Sequence, residues 1–188
     1  RADALVVVGA EAGGHPPPAM VTTQVLVRAV ARAIPDIALI ASGGVADGAG
    51  RAAMLALGAG AAQFGTRFLA STEATVHDAY KRAVLGAGVD ATRTVGHGPG
   101  IIRALGNDFT ARMLELEADG ADETLRRKVF QESTLKDAAL YGDVAEGRVE
   151  AGQSAGLVDE VLPAAEIVAR IVHEYRAVRT GLPPVLEA

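Results

Sequence analysis

The stretch Ile37–Leu69, which reads IALIASGGVADGAGRAAMLALGAGAAQFGTRFL, decides the fold. Its first apolar run, 37–41, predicts a buried parallel strand that ends in the turn Ser42-Gly43-Gly44. Asp47 then predicts the cap of a helix, and Gly58 predicts where that helix ends. The stretch therefore begins as a strand, a glycine turn and a helix in succession.

A second apolar run, 61–64, predicts another strand, and Gly65 and Thr66 follow it directly. Two consecutive βα turns with bare backbone and a hydroxyl are how a (β/α)8 barrel holds a phosphate after its last strands. Glycine lets backbone N–H groups approach an anion closely, and the Thr66 hydroxyl can donate a further hydrogen bond. We interpret the two turns as a grip for a flavin phosphate, the alternative being two ordinary tight connections.

Composition narrows the classes of function. The chain has 188 residues, of which 49% are hydrophobic and 22% charged, as is typical of a soluble globular protein. Its net charge of -5, without a basic cluster, argues against nucleic acid as a partner. The absence of Cys excludes disulfides and thiolate chemistry, and no histidines are spaced for a metal site, so we predict no metal. No apolar run approaches the roughly 18 residues of a membrane span, and we expect a cytoplasmic protein without membrane contact.

The strand at the start of the chain leads to the candidate base. The run Ala4–Val8 predicts a buried parallel strand, and it empties into a glycine loop that carries His15 in front of three prolines. Ligands of parallel sheets and barrels bind at this carboxyl end of the strands. A neutral imidazole placed there can accept a proton from a carbon acid. The alternative for His15 is a surface loop histidine without a role.

Four other polar side chains leave two interpretations open. Gln63 interrupts an apolar strand, and a buried amide needs a partner because leaving it unpaired costs about 1–3 kcal/mol. A flavin edge, a phosphate or a backbone carbonyl would satisfy it. Arg67 and Arg103 could balance an anion, although salt bridges on helices are the favoured interpretation. His97, between glycines on a loop, could approach a substrate.

The rest of the chain predicts mainly helices. Helices are expected from Ser71 or Thr72 onward, over 101–116 with an interruption near Gly106, over 122–139 and over 164–178, with Pro183-Pro184 ending the ordered part. Three strand-plus-glycine-turn units are recognisable, whereas a barrel needs about 250 residues. We therefore expect an α/β chain that holds the back part of a barrel in residues 1–110 and a helical segment packing on it in residues 111–188.

Three motifs in order resemble one family. EAGGH at 11–15, ASGGVADG at 41–48 and QFGTRF at 63–68, together with AGQSAGL at 151–157, are similar to the signature turns of nitronate monooxygenases, formerly called 2-nitropropane dioxygenases. The resemblance implies a (β/α)8 TIM barrel that binds FMN, with these three strands as its last three. It also implies that the front half comes from elsewhere, either as the missing N-terminal half of the barrel or through a homo-oligomer.

The resemblance also assigns roles to residues. It implies that FMN is contacted by Gly13, Gly44 and the turn Gln63-Phe64-Gly65-Thr66, with Gly43 as a neighbour. It aligns His15 with the general base of the family, which oxidises alkyl nitronates with O2 to a carbonyl compound and nitrite. Val8 stands where the family often has Gln, and this removes one expected flavin contact.

Two further functions remain open. Flavin-dependent enoyl-acyl-carrier-protein reductases share the EAGGH and GTRF turns, and they would use NAD(P)H to reduce an enoyl thioester. A non-catalytic α/β domain that binds flavin or phosphate is the third hypothesis. Val8 favours it weakly, whereas the retained His15 argues against it.

Overall fold

A small parallel sheet organises the first third of the chain in the computed structural model, which describes residues 2–181. The sheet has the strand order β1-β2-β3, and a helix connects each strand to the next. Its elements are β1 (Ala4–Val8), α1 (Thr23–Ala33), β2 (Ala38–Ser42), α2 (Gly48–Ala56) and β3 (Ala61–Gln63). The predicted strand–turn–helix succession is therefore confirmed.

The register of the sheet brings the three glycine turns together. Val8 pairs with Ser42, and Ser42 pairs with Gln63, all in parallel. These residues are the last of their strands, so the turns that follow β1, β2 and β3 open at the same edge of the sheet. This edge is where ligands bind in parallel α/β folds.

The sheet is covered on one face. Helices α1 and α2 pack on the face that carries Val7, Leu39 and Ala41, which are buried. The opposite face of β1 exposes Val6, with 52% of its surface accessible. The prediction that Ala4–Val8 is a buried strand is therefore wrong, because β1 lies at the edge of an open sheet.

The remainder of the described chain is a β-hairpin among helices. The bounds are α3 (Thr66–Leu69), α4 (Asp78–Leu85), β4 (Thr92–Val95), β5 (Ile102–Leu105), α5 (Asp108–Ala118), α6 (Glu123–Glu132), α7 (Leu135–Tyr141), a 3₁₀ helix (Gln153–Leu157) and α8 (Ala164–Thr180). Helix α8 confirms the predicted closing helix, and Pro183-Pro184 lies outside the described residues. Within residues 2–181, no helix has the length and apolar character to cross a membrane.

The predicted helix over 101–116 is wrong in its first part. Residues Ile102–Leu105 form β5, which pairs antiparallel with β4 and is fully buried. A short apolar run is compatible with a helix or with a strand, and here pairing with β4 makes the run a strand. The helix itself, α5, starts only after Asn107, whose side chain accepts a hydrogen bond from the Thr110 N–H.

Two other predicted helices differ from the structure, one by a break in its middle and one in its starting residue. The helix expected over 122–139 is two helices: α6 ends at Glu132, where Ser133 is extended, and Thr134 then caps α7 in a reciprocal pair with Asp137. The helix expected from Ser71 or Thr72 begins only at Asp78. There, His77 Nδ1 accepts a hydrogen bond from the Ala79 N–H as the cap of α4.

Candidate functional site

A cavity of about 330 Å³ opens at the carboxyl edge of the three parallel strands. Its volume lies within the range of about 300–1,000 Å³ that is usual for small-molecule sites. Six of the eight residues predicted for the site line it, namely Gly13, Gly43, Gly44, Gln63, Gly65 and Thr66. His15 and Phe64 do not line it.

The turns after β2 and β3 present free backbone donors to this cavity. Gly43 and Gly44 have φ angles of +106° and +74°, a backbone region that favours glycine. Within residues 2–181, the N–H groups of Gly43, Gly44, Gly65 and Thr66 donate to no other protein group. We call these four N–H groups the N–H cradle. Successive free N–H groups of this kind bind anions.

The neighbouring helix starts are already occupied by carboxylates. Asp47 Oδ1 accepts from the Gly50 N–H at 2.7 Å, and Glu174 Oε2 from α8 accepts from the Gly48 N–H at 2.8 Å. Glu11 Oε2 likewise accepts from the Thr23 N–H at 2.8 Å. The starts of α1 and α2 therefore hold protein carboxylates, whereas the N–H cradle offers free donors to an external anion.

The hydroxyl of Thr66 is oriented by a distant part of the chain. Thr66 Oγ1 accepts a hydrogen bond of 2.9 Å from the buried Gly152 N–H. Because the oxygen is used as an acceptor, the hydroxyl proton remains available to a ligand in the cavity. The turn after β3 is thereby fastened to the connection in front of the 3₁₀ helix.

We expect Thr66→Val to lower the free energy of unfolding by about 1–3 kcal/mol, because the buried Gly152 N–H loses its acceptor. Thr66→Ser keeps the hydroxyl and is the matched control. Urea titration followed by circular dichroism measures both variants. Equal stability of the Val and Ser variants would contradict the assigned role of the hydroxyl.

Gln63 and Phe64 differ from what the sequence suggested. Gln63 is exposed at the end of β3, so the buried amide considered from the sequence is not present. The side chain of Phe64 lies in a separate depression with Phe68 and Val168. A ligand in the main cavity can therefore meet Phe64 only through its main chain.

His15 is exposed on the loop after β1, and Arg103 fixes the start of its segment. Gly14 and Arg103 exchange two backbone hydrogen bonds, of 3.1 Å and 2.7 Å. The guanidinium of Arg103 donates to Ala10 O at 2.8 Å and to Thr92 Oγ1 at 2.9 Å, and only 7% of the residue is exposed. Arg103 lies on a strand and binds neutral oxygens, so the prediction of a salt bridge on a helix is wrong for it.

Arg67 also has a structural role. It is buried at the start of α3, and its Nη1 donates to Glu160 O at 2.9 Å. It lines a different pocket, with Asp159 and Arg170, and it does not line the main cavity. Burial lowers the pKa of Arg67, partly opposed by the charges of Glu160 and Asp159.

The sequence interpretation did not find two polar residues in the cavity wall, Tyr80 and Glu150. Tyr80 Oη donates to Glu150 O at 2.6 Å, and burial raises the pKa of Tyr80. Burial also raises the pKa of the Glu150 carboxyl, while His15 and Arg148 lower it. The one sequence signal that could have pointed to Glu150 is its position directly before the AGQSAGL segment.

Part of the cavity lining is apolar. Leu69 and Val76 belong to it together with Leu135 and Ala139 of α7. The cavity lining thus combines donors for an anion with apolar surface for a hydrocarbon group. Within residues 2–181, no three metal-binding side chains of His, Asp or Glu lie close enough to hold an ion.

Comparison with known proteins gives one family. The family model for nitronate monooxygenase matches residues 1–174. The nitronate monooxygenase of Paraburkholderia phytofirmans is 38% identical over 184 residues, which is 93% of this chain and 49% of that protein. A (3aS,4S,5R,7aS)-5-hydroxy-7a-methyl-1-oxo-octahydro-1H-indene-4-carboxyl-CoA dehydrogenase of Rhodococcus jostii is 31% identical, over 91% of this chain and 58% of that protein.

Two solved structures are similar over nearly the whole chain. FabK from Thermotoga maritima superposes with a TM-score of 0.88 and 39% identity, covering 95% of this chain and 56% of that one. The nitroalkane oxidase from Streptomyces ansochromogenes gives a TM-score of 0.79 and 31% identity, covering 96% of this chain and 54% of that one. The chain spans about half the length of the relatives it matches.

Proposed function

The chain belongs to the nitronate monooxygenase family, and we propose that it supplies the phosphate cradle and the base of an FMN-dependent oxidoreductase. The substrates would be alkyl nitronates, and nitroalkanes as their neutral precursors. O2 is the oxidant, and a carbonyl compound and nitrite are the products. The observation that carries the proposal is the N–H cradle, which opens into the same cavity as an apolar wall.

The residues of the cavity fit an FMN phosphate. The N–H groups of Gly43, Gly44, Gly65 and Thr66 would hold the phosphate, and Gly13 and Gln63 would lie along the rest of the cofactor. Phe64 would take part through its main chain. Bound FMN supplies the electron-accepting chemistry, and the protein supplies binding and orientation.

His15, on the loop after β1, would accept the proton from the substrate. His15 follows the cavity-lining Gly13 and Gly14 directly, and its exposed imidazole would turn toward the cavity to reach the α-carbon of a bound neutral nitroalkane. Leu69, Leu135 and Ala139 would face the alkyl group. A pre-ionised nitronate needs no base and would use only the binding surface.

The fold supports a barrel that is completed from elsewhere. Strands β1 and β3 are both edges of the sheet, and Val6 exposes an apolar side chain on its uncovered face. We propose that the three strands are the last three of a (β/α)8 TIM barrel. Its other half would come from a longer protein or a partner chain. Residues 1–110 would belong to the barrel and residues 111–188 would pack on it.

A second candidate function is NAD(P)H-dependent reduction of an enoyl thioester on an acyl-carrier protein. The TM-score of 0.88 to FabK favours it. Both functions share the flavin cradle, so the cradle does not discriminate between them. The source of the electrons distinguishes the two functions, because a nitronate monooxygenase takes electrons from a nitronate and an enoyl reductase takes them from a nicotinamide.

Anaerobic reduction of the complete holoprotein tests the proposal. We expect an added nitronate to bleach the flavin band near roughly 450 nm and NADH alone to leave it unchanged. Rapid bleaching by NADH would support the reductase. A colourless protein that does not bind added FMN would support the hypothesis of a non-catalytic domain that binds some other phosphate.

A further inference from the structure

Glu150 lies between the cavity and the loop that carries His15. Its side chain lines the cavity, and its Oε2 is 3.2 Å from the position that a Cβ on Gly14 would take. Gly14 is the residue directly before His15. The carboxylate therefore stands beside Gly14, the residue directly before the proposed base.

Two contacts hold Glu150 and the loop of His15 in place. Tyr80 Oη donates to the Glu150 carbonyl at 2.6 Å, which holds the backbone of Glu150 at the cavity wall. The antiparallel pairing of Gly14 with Arg103 holds the loop on the other side. Hydrogen bonds to the backbone thus hold both Glu150 and the loop that carries His15.

The carboxylate of Glu150 makes no contact that stabilises the fold of the described residues. Within residues 2–181, it accepts no hydrogen bond and forms no ion pair with Lys, Arg or His. Partial burial raises the pKa of this carboxyl, and the charges of His15 and Arg148 oppose the rise. A half-buried carboxylate without a partner is unfavourable unless a cation or a donor approaches it.

We propose that Glu150 is a positioning residue for His15. It would orient the imidazole toward the cavity and stabilise the imidazolium that forms when His15 takes a proton. In that step the α-C–H bond of a neutral nitroalkane breaks and an N–H bond forms on His15. The electron pair of the broken bond moves onto the nitro group, giving the nitronate, while Glu150 stays ionised. This inference rests on the proposed function.

The charged groups around Glu150 support this pairing. Arg148 is near in sequence, but its guanidinium stacks on the Phe130 ring at 3.8 Å from the ring centroid. Glu11 is engaged by Thr23 through two hydrogen bonds, and Arg103 by neutral oxygens. Helix α7 contributes only Leu135 and Ala139 to the cavity. Within the described part of the chain, the His15 side chain forms no hydrogen bond or ion pair, so its imidazole is free to turn toward Glu150.

Kinetics of Glu150→Gln in the complete holoprotein give the first test. We expect kcat/KM for a neutral nitroalkane to fall on the order of 10- to 100-fold, below the loss of the base itself, and kcat/KM for the nitronate to change little. Glu150→Asp, which keeps the charge, should recover part of the loss. Glu146→Gln is the matched control, because Glu146 pairs with Arg112 on the surface. An equal loss on both substrates would overturn the proposal.

The ¹⁵N NMR signals of the imidazoles give a second test that needs no turnover. In the parent protein, neutral His15 should show one dominant tautomer, and in Glu150→Gln its signals should shift toward a tautomer mixture. His97, which is exposed on the turn after β4, should stay unchanged and serves as the internal control. A His15 signal that does not respond to Glu150→Gln would overturn the pairing even if the nitronate chemistry holds. A response without nitronate oxidation would leave the pairing standing and refute the proposed function.

Discussion

Replacing His15 by Asn is expected to lower kcat/KM of the complete flavoprotein for a neutral nitroalkane by about 10²–10⁴-fold. The same variant should oxidise a pre-ionised nitronate at nearly the parent rate. The neutral substrate must lose an α-proton before it can be oxidised, whereas the nitronate has already lost it. Steady-state oxygen consumption with each substrate measures the two values directly.

The structure makes His15→Asn a clean substitution. The loop before it is held through the backbone of Gly14, which pairs with Arg103, and the side chain of His15 is exposed. His97→Asn is the control, since His97 lies on the turn between β4 and β5. Equal losses on nitroalkane and nitronate would remove His15 from the role of base.

The features that the sequence predicted correctly are local ones. The glycine turns after β2 and β3 follow short apolar runs, and the cap of α2 by Asp47 uses a residue three positions from its partner Gly50. Parallel pairing then places the ends of these strands at one edge by geometry alone. For this reason six of the predicted residues meet in one cavity without any long-range contact having been anticipated.

The features that the sequence missed depend on contacts between distant residues. Thr66 receives the Gly152 N–H, Tyr80 holds the Glu150 backbone, and Arg103 braces the His15 loop. No periodicity or motif reveals such pairs. The run around Arg103 predicts a helix as well as it predicts a buried strand, so the sequence alone does not identify β5.

The N–H cradle makes a second strong prediction. Gly44→Val should abolish FMN retention, because a β-branched side chain would stand where the phosphate approaches the backbone. Gly44 has a φ angle of +74°, however, so that variant is strained even without a ligand. Gly65→Val removes this ambiguity: the φ angle of Gly65 is -96°, and a Cβ built there meets nothing within 4 Å.

Gly65→Val should therefore fold like the parent and still lose FMN, because its new side chain enters only the ligand's space. Losing two charge-assisted hydrogen bonds of about 1.5–3 kcal/mol each implies at least a 100-fold weaker affinity. The ratio of flavin to protein absorbance after gel filtration measures retention, and thermal unfolding of the apoprotein monitors the fold. Gly60→Val is the matched control, because Gly60 is exposed at the other end of β3. Stoichiometric FMN in a folded Gly65→Val variant would show that the phosphate binds elsewhere.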